Sequence, residues 1–420
     1  MQRAGIAWEQ KGMSKERYLT ARQAANELGI SLATLYAYVS RGLVRSEATG
    51  GDPRTRRYRL EDVQKLKERK EQQRNPGKVA ESALHWGSPV MESALTLIAG
   101  GRLYYQGHDA VHLATTHSVE QVATLLWTGE LASDAAVEME TTGTAFTPEL
   151  AAMRQRLVDV SVVEAFQVLL PLVAADDLAA YDLRPSAVVQ TGGRILRLLT
   201  AIAAREQALT AGIAQTLQAA WVPNDPQAMA LLNAALILCA DHELNVSAFT
   251  ARCVASAGST PYAVVNAGLS ALQGVKHGGH SARVEALLRE AGTPAGVRLA
   301  LAHRLKRGEQ IPGFGHVLYP DGDPRATALL QLTSAAYPNA PGIALSHAVM
   351  EHARSLIGEH PTIDFGLVTL ALALELPPGT ALTLFALGRT IGWIGHAIEQ
   401  YQLDRMIRPR ARYIGTPPNE

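Results

Sequence analysis

From about Leu84 to the end of the chain, Ala, Leu and Val recur at three- and four-residue spacing, and continuous β-type alternation is scarce. That period lines apolar side chains along one face of helix after helix, so most of the 420 residues are committed to a mainly α fold. Pro and Gly fall at the joints, as in Trp221-Val-Pro-Asn-Asp-Pro226 and Leu376-Pro-Pro-Gly379. No repeat at solenoid period is present. The length predicts two or three domains, and 47% hydrophobic residues suffice for a large core. No apolar run reaches the roughly 18 residues of a membrane span. Met1 to Lys15 lacks the apolar stretch of a signal peptide, so the cytoplasm is the expected location and no membrane partner is expected. Cys239 and Cys253 are the only cysteines, in helical sequence with no pairs at ligand spacing; neither a disulfide framework nor a metal site is expected.

Charge is unevenly spread. Met1 to Lys78 carries 17 Lys/Arg against 9 Asp/Glu, a net +8; the whole chain carries 39 of each, which leaves −8 on the remainder. A basic head on an acidic body suits a nucleic-acid-facing module joined to something else. Within the head, Thr20 to Leu28 reads as a short helix, Gly29 permits a tight turn, and Ser31 is placed to cap a second helix from Leu32 to Arg41, ended by Gly42. At 100° per residue, Leu32, Leu35, Tyr36 and Val39 form the packing side, and Ala33, Thr34, Ala37, Tyr38 and Arg41 the side for a groove. Leu43-Val44-Arg45, a Gly50-Gly51 turn and Arg54, Arg56, Arg57 and Tyr58 predict a two-stranded wing with a basic tip; Leu60, Val63 and Leu66 mark a third helix, and Gln72 to Gly77 a linker. This order resembles the winged helix-turn-helix of MerR-type and excisionase-type DNA-binding proteins, which implies DNA contact through Thr34, Tyr38, Arg41, Arg54, Arg56 and Arg57. The plainer alternative is a basic helical module used for assembly or regulation.

Three segments of the body carry chemistry-bearing residues. Ala240-Asp-His-Glu-Leu-Asn-Val-Ser247 is followed by Gly274-Val-Lys-His-Gly-Gly279; Ile311-Pro-Gly-Phe-Gly-His-Val-Leu-Tyr319 is followed by Gly322-Asp-Pro-Arg325; Pro361-Thr-Ile-Asp-Phe365 is followed by Gly388-Arg-Thr-Ile-Gly-Trp393 and Ile407-Arg-Pro-Arg-Ala-Arg-Tyr413. The glycines after His277 leave room for a ligand, the loop before His316 offers backbone N–H groups to a cofactor, and Asp364 sits among apolar neighbours that would keep a carboxylate basic. Nearby arginines suit a substrate with several carboxylates. Each segment alone also has an ordinary reading: a turn histidine, a helix-capping aspartate, a plain loop.

Together, in this order and spacing, the segments resemble the citrate synthase family over about Leu84 to Gly415. Gly101-Arg-Leu-Tyr-Tyr-Gln-Gly107 and Gln121 to Leu131 add to the match, and no nucleotide-binding or Ser-elbow motif competes. The resemblance implies an all-α large domain (78–280 and 379–420) interrupted by a small one (281–378), preceded by the winged helix-turn-helix with its linker (1–77). It implies a homodimer whose cleft closes on substrate. It implies condensation of acetyl-CoA, as co-substrate, with oxaloacetate, then hydrolysis of the citryl thioester, with no permanently bound cofactor and no metal. By the same resemblance, Asp364 takes the methyl proton, His277 hydrogen-bonds the thioester oxygen, and His316 polarises the oxaloacetate ketone. His242, Arg325 and Arg389 hold substrate carboxylates, Arg408 reaches the partner subunit's site, and Pro312, Gly313, Phe314 and Gly315 lie against the CoA adenine. Two places depart from the family pattern: His280, Ser281 and Ala282 stand where a small residue, Asn and Glu are usual, and Gly366, Leu367 and Val368 stand where Tyr-Ser-Gly is usual. Three function classes stay open: a citrate synthase, a 2-methylcitrate synthase using propionyl-CoA, and a DNA-binding regulator whose body senses ligand.

Overall fold

The computed structural model describes residues 18–48, 56–60, 62–63, 66, 91–131, 147–206, 209, 211–416 and 418. Contacts divide the chain into two units, Met1–Glu92 and Ser93–Glu420. Arg54, the Gly50-Gly51 turn and the linker at 72–77 lie outside the described residues.

In the first unit, β1 (Tyr18–Thr20) leads into α1 (Ala21–Leu28) and α2 (Leu32–Ser40), followed by β2 (Ser46–Ala48) and β3 (Arg56–Arg59). The Thr20 hydroxyl and the Gln23 side chain form a reciprocal cap on α1, and Gly29 closes it in the left-handed conformation at φ 59°. Ser31 caps α2 through the Thr34 N–H, as expected. The sheet has an additional strand, β1, and runs β1-β3-β2 with Leu19 opposite Tyr58 and Glu47 opposite Arg57. Ala24, Ala25, Leu28, Leu35, Val44, Tyr58 and Val63 form its core. The packing face of α2 differs from the expected one: Leu32 and Tyr36 are exposed, and Tyr38, assigned to the groove side, packs partly against the core with Leu35 and Val39. Both sets have helical spacing; a two-turn helix needs only a narrow stripe, and Leu35, Tyr38 and Val39 supply it at i, i+3 and i+4. The Arg45 fork grips Asp62 with two bonds of 2.9 Å, and Arg59 pairs with Glu47 at 2.9 Å. Arg41, Arg56 and Arg57 are exposed.

The second unit opens with an antiparallel sheet of β4 (Thr96–Ala99), β5 (Arg102–Tyr105) and β6 (His108–Asp109). Helices follow: α3 (Ala110–Thr116), α4 (Val119–Thr128), α5 (Pro148–Arg156), α6 (Val162–Asp176), α7 (Pro185–Ala204), α8 (Ile213–Trp221), α9 (Ala228–Leu238), α10 (Val246–Ala255), α11 (Pro261–Leu272), α12 (Gly279–Ala291), α13 (Val297–Lys306), α14 (Pro324–Ala336), α15 (Pro341–Ile357), α16 (Ile363–Ala373) and α17 (Thr380–Leu403). Local sequence sets many of the starts: Ser118 with Gln121 and Ser161 with Glu164 make capping boxes, and Pro occupies the first turn of α5, α7, α11, α14 and α15.

The core is built around α17. By length and composition α17 would suffice to cross a membrane, yet 94% of its apolar stretch is buried inside the fold, as in a core helix. It packs on α4, α7, α9, α10, α11 and α16. Gly392 allows the closest approach: a Cβ there would lie 2.4 Å from Ala240 O and from Asp241 Oδ1. The Gly392 N–H instead donates to Ala240 O at 2.9 Å, which seats the turn after α9 directly on α17. From the other side, Tyr105 of β5 donates to Ile237 O at 2.9 Å and accepts from the Asp241 N–H at 3.3 Å. The Gly101–Gly107 segment thus braces the turn that carries His242.

Candidate active site

His242 follows that braced turn. Asp241 beneath it is buried, accepting from Thr96 Oγ1 at 2.6 Å and meeting His396 Nε2 at 3.2 Å. With its neighbour so anchored, the His242 ring is held against two residues of the His316 loop. His242 Nε2 lies 3.0 Å from the Tyr319 hydroxyl, and the His242 and His316 rings meet edge-on at 5.2 Å between centroids. The Tyr319 ring packs beside His316 at 5.0 Å, with the Arg325 guanidinium 5.6 Å from its centroid. Arg325 is buried and gives its Nε and Nη2 edge to Asp323, at 2.9 and 2.8 Å. The same Asp323 accepts from the Ile363 N–H at 3.1 Å, so one carboxylate ties Arg325 to the start of α16, next to Asp364.

The Pro312–Gly315 loop is fixed to the segment ahead of Asp364. Thr362 N–H donates to Gly313 O at 2.8 Å and Gly315 N–H to His360 O at 2.9 Å, a short antiparallel bridge with Phe314 opposite Pro361. Gly313 has φ +84°, and a Cβ there would stand 2.7 Å from Val284 Cγ2. Only glycine lets the loop lie this close to α12 and α16. Phe314 packs on Phe365, ring centroids 5.0 Å apart.

Asp364 is the second residue of α16. Burial pushes its carboxyl above the ordinary range; a hydrogen bond from Ser281 Oγ at 2.7 Å, then His280 and Arg325, pull the other way. His277, just ahead of α12, is held to about 3 by burial and then by Arg389 and His280. Burial and then Arg325 hold His316 at about 4, and burial with Arg325 and Arg389 holds His242 well below its usual value. All three imidazoles are therefore neutral at pH 7. His277 Nε2 sits 2.8 Å from Ser247 Oγ, which receives the Trp393 indole N–H at 3.2 Å and donates to Asn245 Oδ1 at 2.7 Å. Asn245 Oδ1 also accepts from the N–H groups of Ser247 and Ala248, so its oxygen is fixed as an acceptor. Ser247 has one proton, and Asn245 and His277 compete for it. Given to Asn245, it leaves His277 protonated at Nε2; given to His277, it puts the ring proton on Nδ1.

Arg389 lies on α17, one turn after Phe385. Its guanidinium sits 4.8 Å from the Phe385 centroid, while His277 meets the same ring edge-on at 5.9 Å. Arg389 Nε donates to Cys239 O at 2.8 Å, but its buried Nη2 has no hydrogen-bond partner. Arg389 feels the buried Asp241 carboxylate only at a distance, with no direct ion pair between them, so its Nη2 is left free for a ligand. The structure thus brings His242, His277, His316, Arg325, Asp364 and Arg389 together with the Pro312–Gly315 loop. Arg408 is not joined to them: it is exposed in the extended segment after α17. Sequence reasoning assigned no role to Ser247, Tyr319, Asp323 or Trp393, although all four lie inside the motifs that drew attention. Phe385 carried no such signal, and Ser281 stood out only as a departure from the family pattern.

Residues 84–410 match the family model described as citrate synthase, C-terminal domain, and residues 19–76 match that of the MerR HTH family regulatory proteins. The citrate synthase of Haloferax volcanii is 32% identical over 364 residues, covering 78% of this chain and 94% of its own. A 2-methylcitrate synthase of Shewanella oneidensis is 28% identical, covering 80% and 95%. In fold, the chain is similar to citrate synthase from Thermoplasma acidophilum, solved as a ternary complex with carboxymethyl coenzyme A and oxaloacetate (TM-score 0.70, 23% identity, 79% of this chain and 95% of that one). It is also similar to citrate synthase from Thermotoga maritima (TM-score 0.69, 24% identity, 80% and 96%). The sequence match and the helical fold agree: the chain belongs to the citrate synthase family.

Proposed function

We propose that the chain condenses acetyl-CoA with oxaloacetate and hydrolyses the resulting thioester to citrate and CoA. The observation that carries this reading is a carboxylate kept basic by burial, Asp364, in one site with a buried arginine whose Nη2 has no hydrogen-bond partner, Arg389. A thioester methyl is a very weak acid, so its proton must leave to a positioned base while the charge growing on the oxygen is met by a donor. Asp364 takes the proton. His277 donates a ring N–H to the thioester oxygen, its ring held in place by the Ser247 hydroxyl. His316 polarises the ketone of oxaloacetate, and its neutrality at pH 7 makes it a hydrogen-bond donor without a buried charge to offset. Arg389 through Nη2, Arg325 through the edge that Asp323 leaves, and His242 hold the dicarboxylate. Pro312 to Gly315 holds the CoA adenine. We read 281–378 as a small domain that closes on the rest, and the active form as a homodimer in which Arg408 serves the partner's site.

A second reading takes the longer acyl chain, since a 2-methylcitrate synthase of Shewanella oneidensis also matches, over 80% of the chain. One methylene discriminates by only about 1–3 kcal/mol. Purified protein supplied with oxaloacetate and either acetyl-CoA or propionyl-CoA, with free thiol followed and the acid product identified, separates the two. Higher kcat/KM with acetyl-CoA is expected; the reverse order assigns the methylcitrate reaction, and no thiol release with either removes the enzymatic reading. For the head, the exposed Arg41, Arg56 and Arg57, together with the helix-turn-helix order, support binding to DNA.

A further inference from the structure

The two places where the sequence leaves the family pattern differ in what they touch. Gly366 faces Leu329 and Ala326 of α14, and Leu367 is fully buried in the core. These residues pack. The other departure reaches Asp364 directly. Ser281, the third residue of α12, is 1% exposed, and its hydroxyl donates to Asp364 Oδ1 at 2.7 Å.

We propose that Ser281 is the positioning residue of the base: its hydroxyl holds Oδ1 of Asp364 and so leaves Oδ2 to take the proton. The inference rests on Asp364 being the base. A carboxylate near a helix start can swing about its terminal torsion, and both oxygens are equivalent until something distinguishes them. A single buried donor does so here, with too little exposure for water to compete. Because a hydroxyl has one proton, this bond is made to the ionised carboxylate as acceptor and favours that form. The other ionisable groups facing Asp364 are His280 beside Ser281, Arg325 and Asp323 at α14, and the Cys239 thiol at the end of α9. None of these has a hydrogen bond to Asp364, so Ser281 alone fixes its direction among the described residues.

The test is the pH dependence of kcat/KM for acetyl-CoA in the full-length parent, Ser281→Ala and Ser281→Thr. Removing the donor raises the pH at which the base protonates, so the acid limb of Ser281→Ala should move upward by about 1–2 pH units. kcat should fall about tenfold or more, as a base loses its aim. Ser281→Thr, which keeps the hydroxyl, should return the limb to the parent position. A slower Ser281→Ala with an unmoved acid limb would mean that Ser281 only packs, and the proposal fails. Should Ser281→Ala not fold, Ser281→Cys, with a weak donor of similar size, is read the same way. Difference infrared titration of the carboxyl stretch, with Asp364→Asn identifying the band, reads the midpoint without turnover. A raised midpoint in a chain that condenses nothing would overturn the reaction reading while leaving the hold of Ser281 on Asp364 in place. An unmoved midpoint overturns that hold whatever the activity.

Discussion

Neutral imidazoles are what this site's burial produces. His277, His316 and His242 are desolvated and lie near Arg325 or Arg389, so a further positive charge on them is disfavoured, Asp323 offsetting only part of this at His316. The rate should therefore show no inflection near pH 6.5 from these rings. It should fall on the acid side as Asp364 takes up a proton, starting above the ordinary range of an aspartate because burial raises it. A pH profile of kcat/KM checks this; a midpoint near 6.5 that vanishes in His316→Asn would contradict it. The same burial has a stability consequence. Folded-state values below the unfolded one mean that the unfolded chain binds protons first, so the body loses stability as pH falls below about 6.5. The residues of this site were legible to different degrees. His242, His277, His316, Asp364, Arg325 and Arg389 stand in short runs bounded by Gly, Pro or Asp, where the chain must turn or approach a ligand. Tyr319 and Ser247 sit at the ends of those runs, but a hydroxyl's role depends on which groups surround it in space. Phe385 looks like any core residue of an apolar helix. Ser281 was visible only as a departure, and its contact with Asp364 joins residues 83 apart in sequence.

Between the motifs, elements fix the distances. The Phe314–Pro361 bridge holds the His316 loop to the start of α16, and it depends on Gly313 at φ +84°. Gly313→Ala should lose roughly 1–3 kcal/mol of stability from backbone strain alone, with condensation falling further as His316 and Asp364 drift apart. Thermal melting beside kcat/KM tests this; unchanged values of both would mean the loop tolerates a Cβ. In the head, Asp62 is tied to the loop after α2 through Arg45, and that pairing lowers its carboxyl to about 2. A depressed folded value contributes stability that is present above about pH 4 and is lost as pH falls through 2. Asp62→Asn should speed amide exchange at Arg45 and Tyr58 at pH 7 and leave the exchange of α17 unchanged; equal protection in both proteins would show the pairing to be incidental. Helices were readable because period, caps and first-turn prolines agree. Strand β1 was not, since three residues show no alternation and gain their identity from pairing with β3. The stripe of α2 was misread because two rotations of a short helix satisfy the same period.

At the scale of the whole molecule, a basic module is joined in one chain to a synthase-family body. Replacing Arg54, Arg56 and Arg57 with Ala should weaken DNA binding to all sequences alike and flatten its salt dependence, because each neutralised phosphate releases counterions. It should leave turnover almost untouched. Gel-shift titration over a salt series measures the slope, and an unchanged slope would point to an assembly role for the head. Arg408, exposed beyond α17, should act across subunits. Mixing Arg408→Ala chains with Asp364→Asn chains then restores one working site in each mixed dimer; mixtures as inactive as both parents, with exchange of subunits verified, would place Arg408 in its own chain's site. All of this chemistry turns on Asp364 removing the methyl proton. That role is tested most directly by kcat for Asp364→Asn with acetyl-CoA and oxaloacetate, alongside the Kd for oxaloacetate. An amide keeps the size and polarity of the carboxyl but cannot accept the proton. Turnover should fall by about 10²–10⁴-fold with oxaloacetate binding close to that of the parent. Turnover within about threefold of the parent would contradict it.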